Sequence, residues 1–179
     1  MKSLFTKTHG IVFGLLACVA FGTSAGAQES TNRVAANTDW SVFVEDDPTE
    51  CWAVSAPKST KNTKDGRDVA VRRSDILLYV TYRPGSAVTS EISFTGGYPF
   101  ADGSIVTVKV GETTFDFFTT KENAWPATSG DDAKIIGAMK RGADAVVTGR
   151  SSRGTQTQDT FSLLGFTAAI DEAEKRCGS

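Results

Sequence analysis

The sequence predicts a mainly β protein, an antiparallel β-sandwich with two short helices, one of them C-terminal and tied by a disulfide. About eight or nine short runs of β-branched and aromatic residues, separated by turn-forming residues, predict the strands. Only two segments repeat apolar residues at helical spacing. Strands that so outnumber helices favour a sandwich over a parallel sheet covered by helices.

Residues 1–27 are typical of a cleaved Sec-type signal peptide. Two lysines precede an apolar run, 11–21, that is too short to span a bilayer as a helix, and a small-residue cleavage site follows at 25–27. A lipoprotein signal at Cys18 is the alternative, but the apolar run continues past that cysteine. We expect a protein of the periplasm, or one that is associated with the outer membrane or secreted, without a later transmembrane span.

Cleavage would leave a flexible polar lead, 28–37, and a single domain, 38–179. It would also remove His9 and Cys18, so the mature chain would have no histidine and two cysteines. The absence of histidine excludes Ser-His-Asp and Cys-His catalysis and imidazole zinc sites. We therefore predict no catalytic residue, no metal site and no cofactor. Acidic residues outnumber basic ones, 21 to 19, which argues against a nucleic-acid partner.

The predicted strands follow from alternation and from the turn residues between them. The run 91–95 alternates strictly, and Gly111-Glu112 has the length of a two-residue hairpin. The polar segment 58–68 is interpreted as a solvated connection, with an anion-binding patch as the alternative. The strands are predicted at 40–44, 51–55, 69–71, 76–82, 91–95, 105–110, 113–118, 143–148 and 155–163.

The two helices are predicted at 131–141 and about 166–176. Acidic residues begin the first, and Gly142 follows its last basic residues, as expected of helix ends. The second has one apolar face, on which Cys177 lies. Since two cysteines in an exported chain most simply form one disulfide, Cys177 should bond to Cys51 in an early strand.

Two groups of residues are candidate contact residues. Trp125, Tyr98 and Phe100 fall in predicted loops, where aromatic rings could stack on a sugar or a peptide, with core packing as the alternative. Arg150 and Arg153 lie in a glycine-flanked turn that could hold a phosphate or carboxylate, with surface ion pairing as the alternative.

Two tryptophans and two acidic clusters have structural interpretations. Trp40 and Trp52 fall in predicted strands and are expected in the core. The acidic group at 46–50 is interpreted as a turn, and the pair at 131–132 as helix-start charges. Neither cluster has the alternating spacing of a calcium loop.

A series of short blocks resembles the invasion-associated locus B family. The match keeps the order of the blocks over nearly all of the mature chain, and no single block is diagnostic. The blocks are Cys51-Trp52-Ala53, Gly97-Tyr98-Pro99-Phe100, Phe115-Asp116-Phe117-Phe118, Ala124-Trp125, Ser152-Arg153-Gly154-Thr155, Asp159-Thr160-Phe161-Ser162-Leu163 and Gly165-Phe166-Thr167-Ala168-Ala169.

The resemblance implies an exported envelope protein of a Gram-negative bacterium and implies no reaction. The expected function is therefore non-enzymatic binding of an unknown envelope or host macromolecule, with a contribution to host-cell contact left open. A small-ligand or glycan-binding module is the alternative, and a carboxylate-dependent hydrolase is the third.

Overall fold

The computed structural model describes residues 32–47, 49–86 and 90–178. The predicted signal peptide lies outside the described residues. Within the described ranges, the strands are β1 (Arg33–Asn37), β2 (Trp40–Asp46), β3 (Thr49–Ser55), β4 (Ser59–Lys64), β5 (Arg67–Asp68), β6 (Leu77–Tyr82), β7 (Glu91–Thr95), β8 (Ile105–Val110), β9 (Thr113–Thr120), β10 (Asn123–Trp125), β11 (Asp144–Arg150) and β12 (Gln156–Ser162). The helices are α1 (Ser129–Met139) and α2 (Phe166–Cys177).

All strands belong to one antiparallel sheet that folds over on itself. Their order across the sheet is β1-β2-β3-β6-β7-β10-β9-β8-β11-β12-β4-β5. Phe94 of β7 packs edge-on against Phe161 of β12 at 6.1 Å between ring centroids. The indole N–H of Trp40 in β2 donates to the carbonyl of Ser162 in β12 at 2.9 Å. The sheet thus has two arms, one containing β2 and β7 and the other containing β12, and these arms enclose one core. The predicted antiparallel fold with two helices is confirmed.

Strand alternation assigns each side chain to the inner or the outer face. Trp40 is 1% exposed, which confirms its predicted core position. Trp52 does not share that environment, because its neighbours Cys51 and Ala53 occupy the inner face of β3. It is half-buried on the outer face and stacks on Phe43 with the ring centroids 6.1 Å apart. The predicted core position of Trp52 is therefore wrong, because alternation along β3 places Trp52 on the outer face when Cys51 and Ala53 are on the inner face.

Four strands were not predicted, because they are short or polar and lack a clear apolar alternation. Residues 33–37, part of the predicted flexible lead, form β1 on β2 instead, and residues 28–31 lie outside the described ranges. The polar segment 59–64 forms β4 on β12, where backbone pairing replaces apolar alternation. The predicted strand 69–71 is irregular, and β5 and β10 are too short to be recognised from sequence.

Helix α2 packs its apolar face on the inner side of β1, β2, β3 and β6. The predicted stripe, Phe166, Ala169, Ile170, Ala173 and Cys177, is buried throughout. Cys177 is disulfide-bonded to Cys51 with 5.8 Å between the Cα atoms. Gly165 precedes the helix at φ 87°, and a Cβ there would lie 1.9 Å from the Asn37 carbonyl oxygen, so only glycine fits.

Helix α1 is joined to β7 through a buried carboxylate. Asp132 in its first turn accepts a hydrogen bond from the backbone N–H of Ile92 at 2.8 Å. Burial raises the pKa of Asp132, the Ile92 hydrogen bond lowers it, and the nearby charges of Glu91 and Asp131 raise it further. Neither α1 nor α2 is long and apolar enough to cross a membrane, and no other helix lies within the described ranges.

Reducing the disulfide should destabilise the protein by about 2–5 kcal/mol. The bond joins residues 126 apart in sequence, and closing so long a loop removes much conformational entropy from the unfolded chain. Guanidinium unfolding of the exported protein, with and without reductant, measures the loss. The double variant Cys51→Ala/Cys177→Ala should match the reduced protein, and equal midpoints for oxidised and reduced protein would contradict the prediction.

Asp132→Asn should stabilise the protein at neutral pH. Since the folded-state pKa of Asp132 is raised above 3.8, its contribution to stability is present below that value and is lost as pH rises through the raised pKa. The variant keeps an acceptor for Ile92 but cannot ionise. Thermal unfolding from about pH 3 to about pH 8 should therefore show an advantage that grows with pH.

The neighbouring Asp131→Asn is the matched control with the opposite sign. Hydrogen bonds from Lys134 and Thr128 lower the pKa of Asp131, so its contribution is present above 3.8 and is lost as pH falls through the lowered pKa. Asp131→Asn should be less stable than wild type at neutral pH, with the gap closing in acid. The same pH trend in both variants would refute this account.

Candidate functional site

A cavity of about 510 Å³ lies between three irregular segments at the edge of the folded sheet. The segments are the approach to β6, the loop after β7 and the turn that joins β11 to β12. Its volume is within the range of small-ligand sites. The lining residues are Ala70, Val71, Arg72, Arg73, Gly97, Tyr98, Pro99, Glu122, Ser151, Ser152, Arg153, Thr155 and Thr157.

One wall of the cavity is fixed by a buried ion pair. Arg73 donates two parallel hydrogen bonds to Asp159 of β12, Nη1 to Oδ1 at 2.7 Å and Nη2 to Oδ2 at 2.6 Å. Its Nε donates to the Gly96 carbonyl at 2.8 Å. The side chains of Arg73 and Asp159 are 5% and 0% exposed. Burial raises the pKa of Asp159, and the hydrogen bonds and charge of Arg73 act against that rise.

Tyr98 forms the adjoining wall. Its ring lies 4.9 Å from the Arg73 guanidinium carbon, and its hydroxyl is 2.6 Å from the Thr157 hydroxyl. Gly149 makes room for it, because a Cβ there would approach the Tyr98 hydroxyl oxygen to 2.9 Å. Burial raises the pKa of Tyr98, so the ring remains a neutral phenol at physiological pH. Tyr98 therefore offers a polarised aromatic surface and a hydroxyl that is already hydrogen-bonded.

Phe100 supports Tyr98 from inside the core. The two rings pack edge to face at 5.0 Å, and Phe100 also contacts Phe94. Phe100 is 5% exposed, so the contact role expected for it has almost no surface through which to act. Its loop position in the sequence was misleading, since residue 100 pairs with Ser151 in an isolated bridge that draws the ring inward.

The turn between β11 and β12 is held rigidly against the Tyr98 loop. The backbone N–H of Ser151 donates to the Thr155 carbonyl at 2.8 Å, and that of Ser152 donates to the Pro99 carbonyl at 2.9 Å. Arg153 of this turn lines the cavity and is exposed. Arg150, also a candidate contact residue, lies at the end of β11 opposite Gln156 and is not among the lining residues.

Arg72 completes the charged lining, although it was not among the candidate contact residues. It is exposed, and neither Arg72 nor Arg153 takes part in an ion pair within the described ranges. Residues 72 and 73 are neighbours with different roles, because the fold buries one and leaves the other at the cavity. The sequence could have shown which arginine is buried only if the contact between residues 73 and 159 had been known, because no local pattern encodes that contact.

Trp125 lies on the opposite, outer face of the sheet, in β10 and not in a loop. It pairs across strands with Phe118, which in turn pairs with Ile105. Trp125 is 40% exposed, Phe118 is 52% exposed and Ile105 is 45% exposed.

We call Ile105, Phe118 and Trp125 the outer apolar row. The structure thus separates Trp125 from Tyr98 and Phe100. The sequence contained one sign of an exposed aromatic residue here. Phe117 and Phe118 are adjacent, and in a strand one of two adjacent residues must face outward.

One residue from each of the two acidic clusters forms a surface ion pair. Glu50 pairs with Arg83 at 2.9 Å, and Asp131 pairs with Lys134 at 3.0 Å in the first turn of α1, as interpreted from sequence. Glu122 is the single carboxylate among the cavity-lining residues. Throughout the described ranges, no group of three or more His, Cys, Asp or Glu side chains is arranged to hold a metal.

Arg73→Leu should destabilise the protein by about 3–5 kcal/mol, because it leaves the buried Asp159 carboxylate without its partner. The double variant Arg73→Leu/Asp159→Leu should lose less than the two single variants together. Urea unfolding of all three measures this coupling.

Lys134→Leu is the control for a surface ion pair. It removes an exposed partner of Asp131 and should change the free energy of unfolding by no more than about 1 kcal/mol. A similarly small loss for Arg73→Leu would show that the buried pair does not hold the cavity wall.

Comparisons with known proteins support the fold and the family resemblance. The chain is similar in structure to invasion associated protein B from Bartonella henselae, with a TM-score of 0.54, 12% sequence identity and coverage of 79% of this chain and 95% of that chain. At this identity the likeness shows the fold alone. No curated protein sequence matches the chain. The profile of the family described as Invasion associated locus B (IalB) protein matches residues 40–174, from β2 into α2. The chain therefore belongs to the invasion associated locus B family.

Proposed function

We propose that this chain is an exported envelope protein that binds another protein through the outer apolar row and catalyses no reaction. The observation that carries this proposal is the exposure of Ile105, Phe118 and Trp125 as direct cross-strand neighbours. Scattered exposed apolar residues are ordinary on protein surfaces, whereas contiguous ones mark interaction sites. These three form a line across three adjacent strands.

The surroundings of the row resemble the edge of a protein interface. The cross-strand pair Thr120 and Asn123 lies on one side of it, and the pair Thr107 and Asp116 on the other. An apolar centre that includes Trp and Phe within a polar rim is the usual composition of protein-binding surfaces. The scarcity of basic groups in this rim favours a protein partner over an anionic polymer.

Export is the second component of the proposal. Residues 1–27 would be removed as a signal peptide, leaving the mature chain 28–179 with its ordered domain beginning at β1. The Cys51–Cys177 disulfide supports this proposal, because such bonds persist in oxidising compartments. The partner would then be a protein of the bacterial envelope or of a host cell surface.

A hydrolase that uses two carboxylates has little support at the cavity. Glu122 has no second lining carboxylate with which to share acid and base roles. A glycan-binding surface that joins Trp125 to Tyr98 and Phe100 is likewise disfavoured, because these residues lie on different faces of the sheet. Any stacking by Trp125 would involve Phe118 instead.

Photo-crosslinking in the native bacterium tests the proposed surface. A photoreactive residue in place of Phe118 should give a discrete protein adduct in exported protein, because the partner covers this position. Leu164 is the matched control, since it is 63% exposed and lies in the turn before α2. Identical adducts at 118 and 164, or none at 118, would refute the proposal.

A substitution then tests the role of the row in affinity. Trp125→Ser combined with Phe118→Ser should abolish the crosslinked complex when the photoreactive residue replaces Ile105. Because both side chains are about half exposed and pair across strands, the free energy of unfolding should change by about 1 kcal/mol per site, and the domain should stay folded. Leu164→Ser should change neither the complex nor the stability.

A further inference from the structure

The charged groups of the cavity differ in their availability to a ligand. Arg73 is neutralised by Asp159 and is almost fully buried. Arg72 and Arg153 are exposed, line the cavity and pair with no carboxylate in the part of the chain that the structure describes. Glu122 is the single lining acid, so the available charge at the cavity is net positive.

The same cavity also has an apolar surface. Val71 is 41% exposed although it belongs to a lining segment, and Pro99 and the Tyr98 ring lie on the facing loop. Contact with a ligand would remove this apolar surface from water. The cavity thus combines two free guanidinium groups with a patch suited to a ring or a short apolar body.

Two features keep this surface preformed. The bidentate Arg73–Asp159 pair fixes the segment that carries Arg72, and the Ser152–Pro99 backbone bond fixes the turn that carries Arg153. A preformed site binds at a lower ordering cost than one that must fold around its ligand.

We propose that this cavity binds a small organic oxoanion, in which a ring or another apolar body carries a carboxylate, phosphate or sulfate group. Arg72 and Arg153 hold the anionic group, since planar guanidinium groups match the geometry of such oxygens. Val71, Pro99 and Tyr98 contact the body of the ligand. The proposal is independent of the outer apolar row, because none of its residues lines the cavity.

The size and chemistry of the cavity restrict what it can hold. A volume of about 510 Å³ accommodates a molecule of a few functional groups and not a folded partner. The cavity is therefore a binding site whose selectivity comes from negative charge and size.

Amide NMR titration of the exported protein with phenyl phosphate, benzoate and benzyl alcohol tests the proposal. The two anions share an aromatic body with the alcohol and differ from each other in the anionic group, so their relative affinities distinguish a phosphate site from a carboxylate site. At least one anion should shift amides in segments 70–73, 97–98 and 151–155. Benzyl alcohol should bind at least about tenfold more weakly.

Two arginine variants separate a specific site from general attraction. Arg153→Ala and Arg72→Ala should each lower the affinity for the favoured anion about tenfold or more. Arg150→Ala is the matched control, because it removes the same charge from the same hairpin at a position that does not line the cavity. Its affinity should stay within about twofold of wild type. Equal losses for Arg150→Ala and Arg153→Ala would overturn the proposal.

Filling the cavity provides a test that leaves its charge unchanged. Ala70→Phe places a ring at an exposed lining position in an irregular segment, and should abolish binding of the anion without lowering the melting temperature appreciably. Retained binding in this variant, the absence of shifts with either anion, or equal binding of benzyl alcohol would each refute the assignment. None of these outcomes bears on crosslinking at residue 118.

Discussion

The buried pair between Arg73 and Asp159 joins parts of the chain that no strand pairing connects. Asp159 belongs to the inner face of β12, whereas Arg73 comes from the irregular segment before β6 and also bonds to the carbonyl that ends β7. Two charges in such a position are tolerated only because each is matched by the other in bidentate geometry. The pair thus links the two arms of the folded sheet and places the walls of the cavity.

Other contacts close the same fold at the opposite end of the sheet. Trp40 reaches across to the backbone of Ser162, and α2 fills the space that remains on the inner face of the first three strands. The Cys51–Cys177 bond then attaches this helix covalently to β3. Because the core is closed by apolar packing, a disulfide and one ion pair, the loops and the outer face are free to serve recognition.

The two candidate surfaces are separated by the sheet itself. The cavity opens among irregular segments and carries positive charge, whereas the outer apolar row lies on regular strands and is flanked by neutral and acidic groups. The proposed anion site and the proposed protein-binding surface would therefore not compete with each other. The match to the invasion associated locus B family, residues 40–174, includes the residues of both surfaces.

Local patterns in the sequence were sufficient for the antiparallel class, the two helices and most strands. The periodicity of α2 placed Cys177 on the buried stripe. The class, the helices and the strands depend on side chains a few residues apart, so local patterns reveal them. The disulfide joins residues 126 apart, and it followed instead from the two cysteines of the expected mature chain. The candidate contact residues lie in different places, which local patterns could not show, since Phe100 is in the core and Trp125 and Arg150 lie away from the cavity.

Only the tertiary structure decided which neighbouring residues share a surface. It buried Arg73 against a residue 86 positions away while leaving Arg72 exposed, and it turned Trp52 outward by the parity of β3. It also made a strand of the polar segment 59–64, whose backbone groups pair with β12. These outcomes depend on partners brought together by the folding of the sheet, and so no window of the sequence contains them.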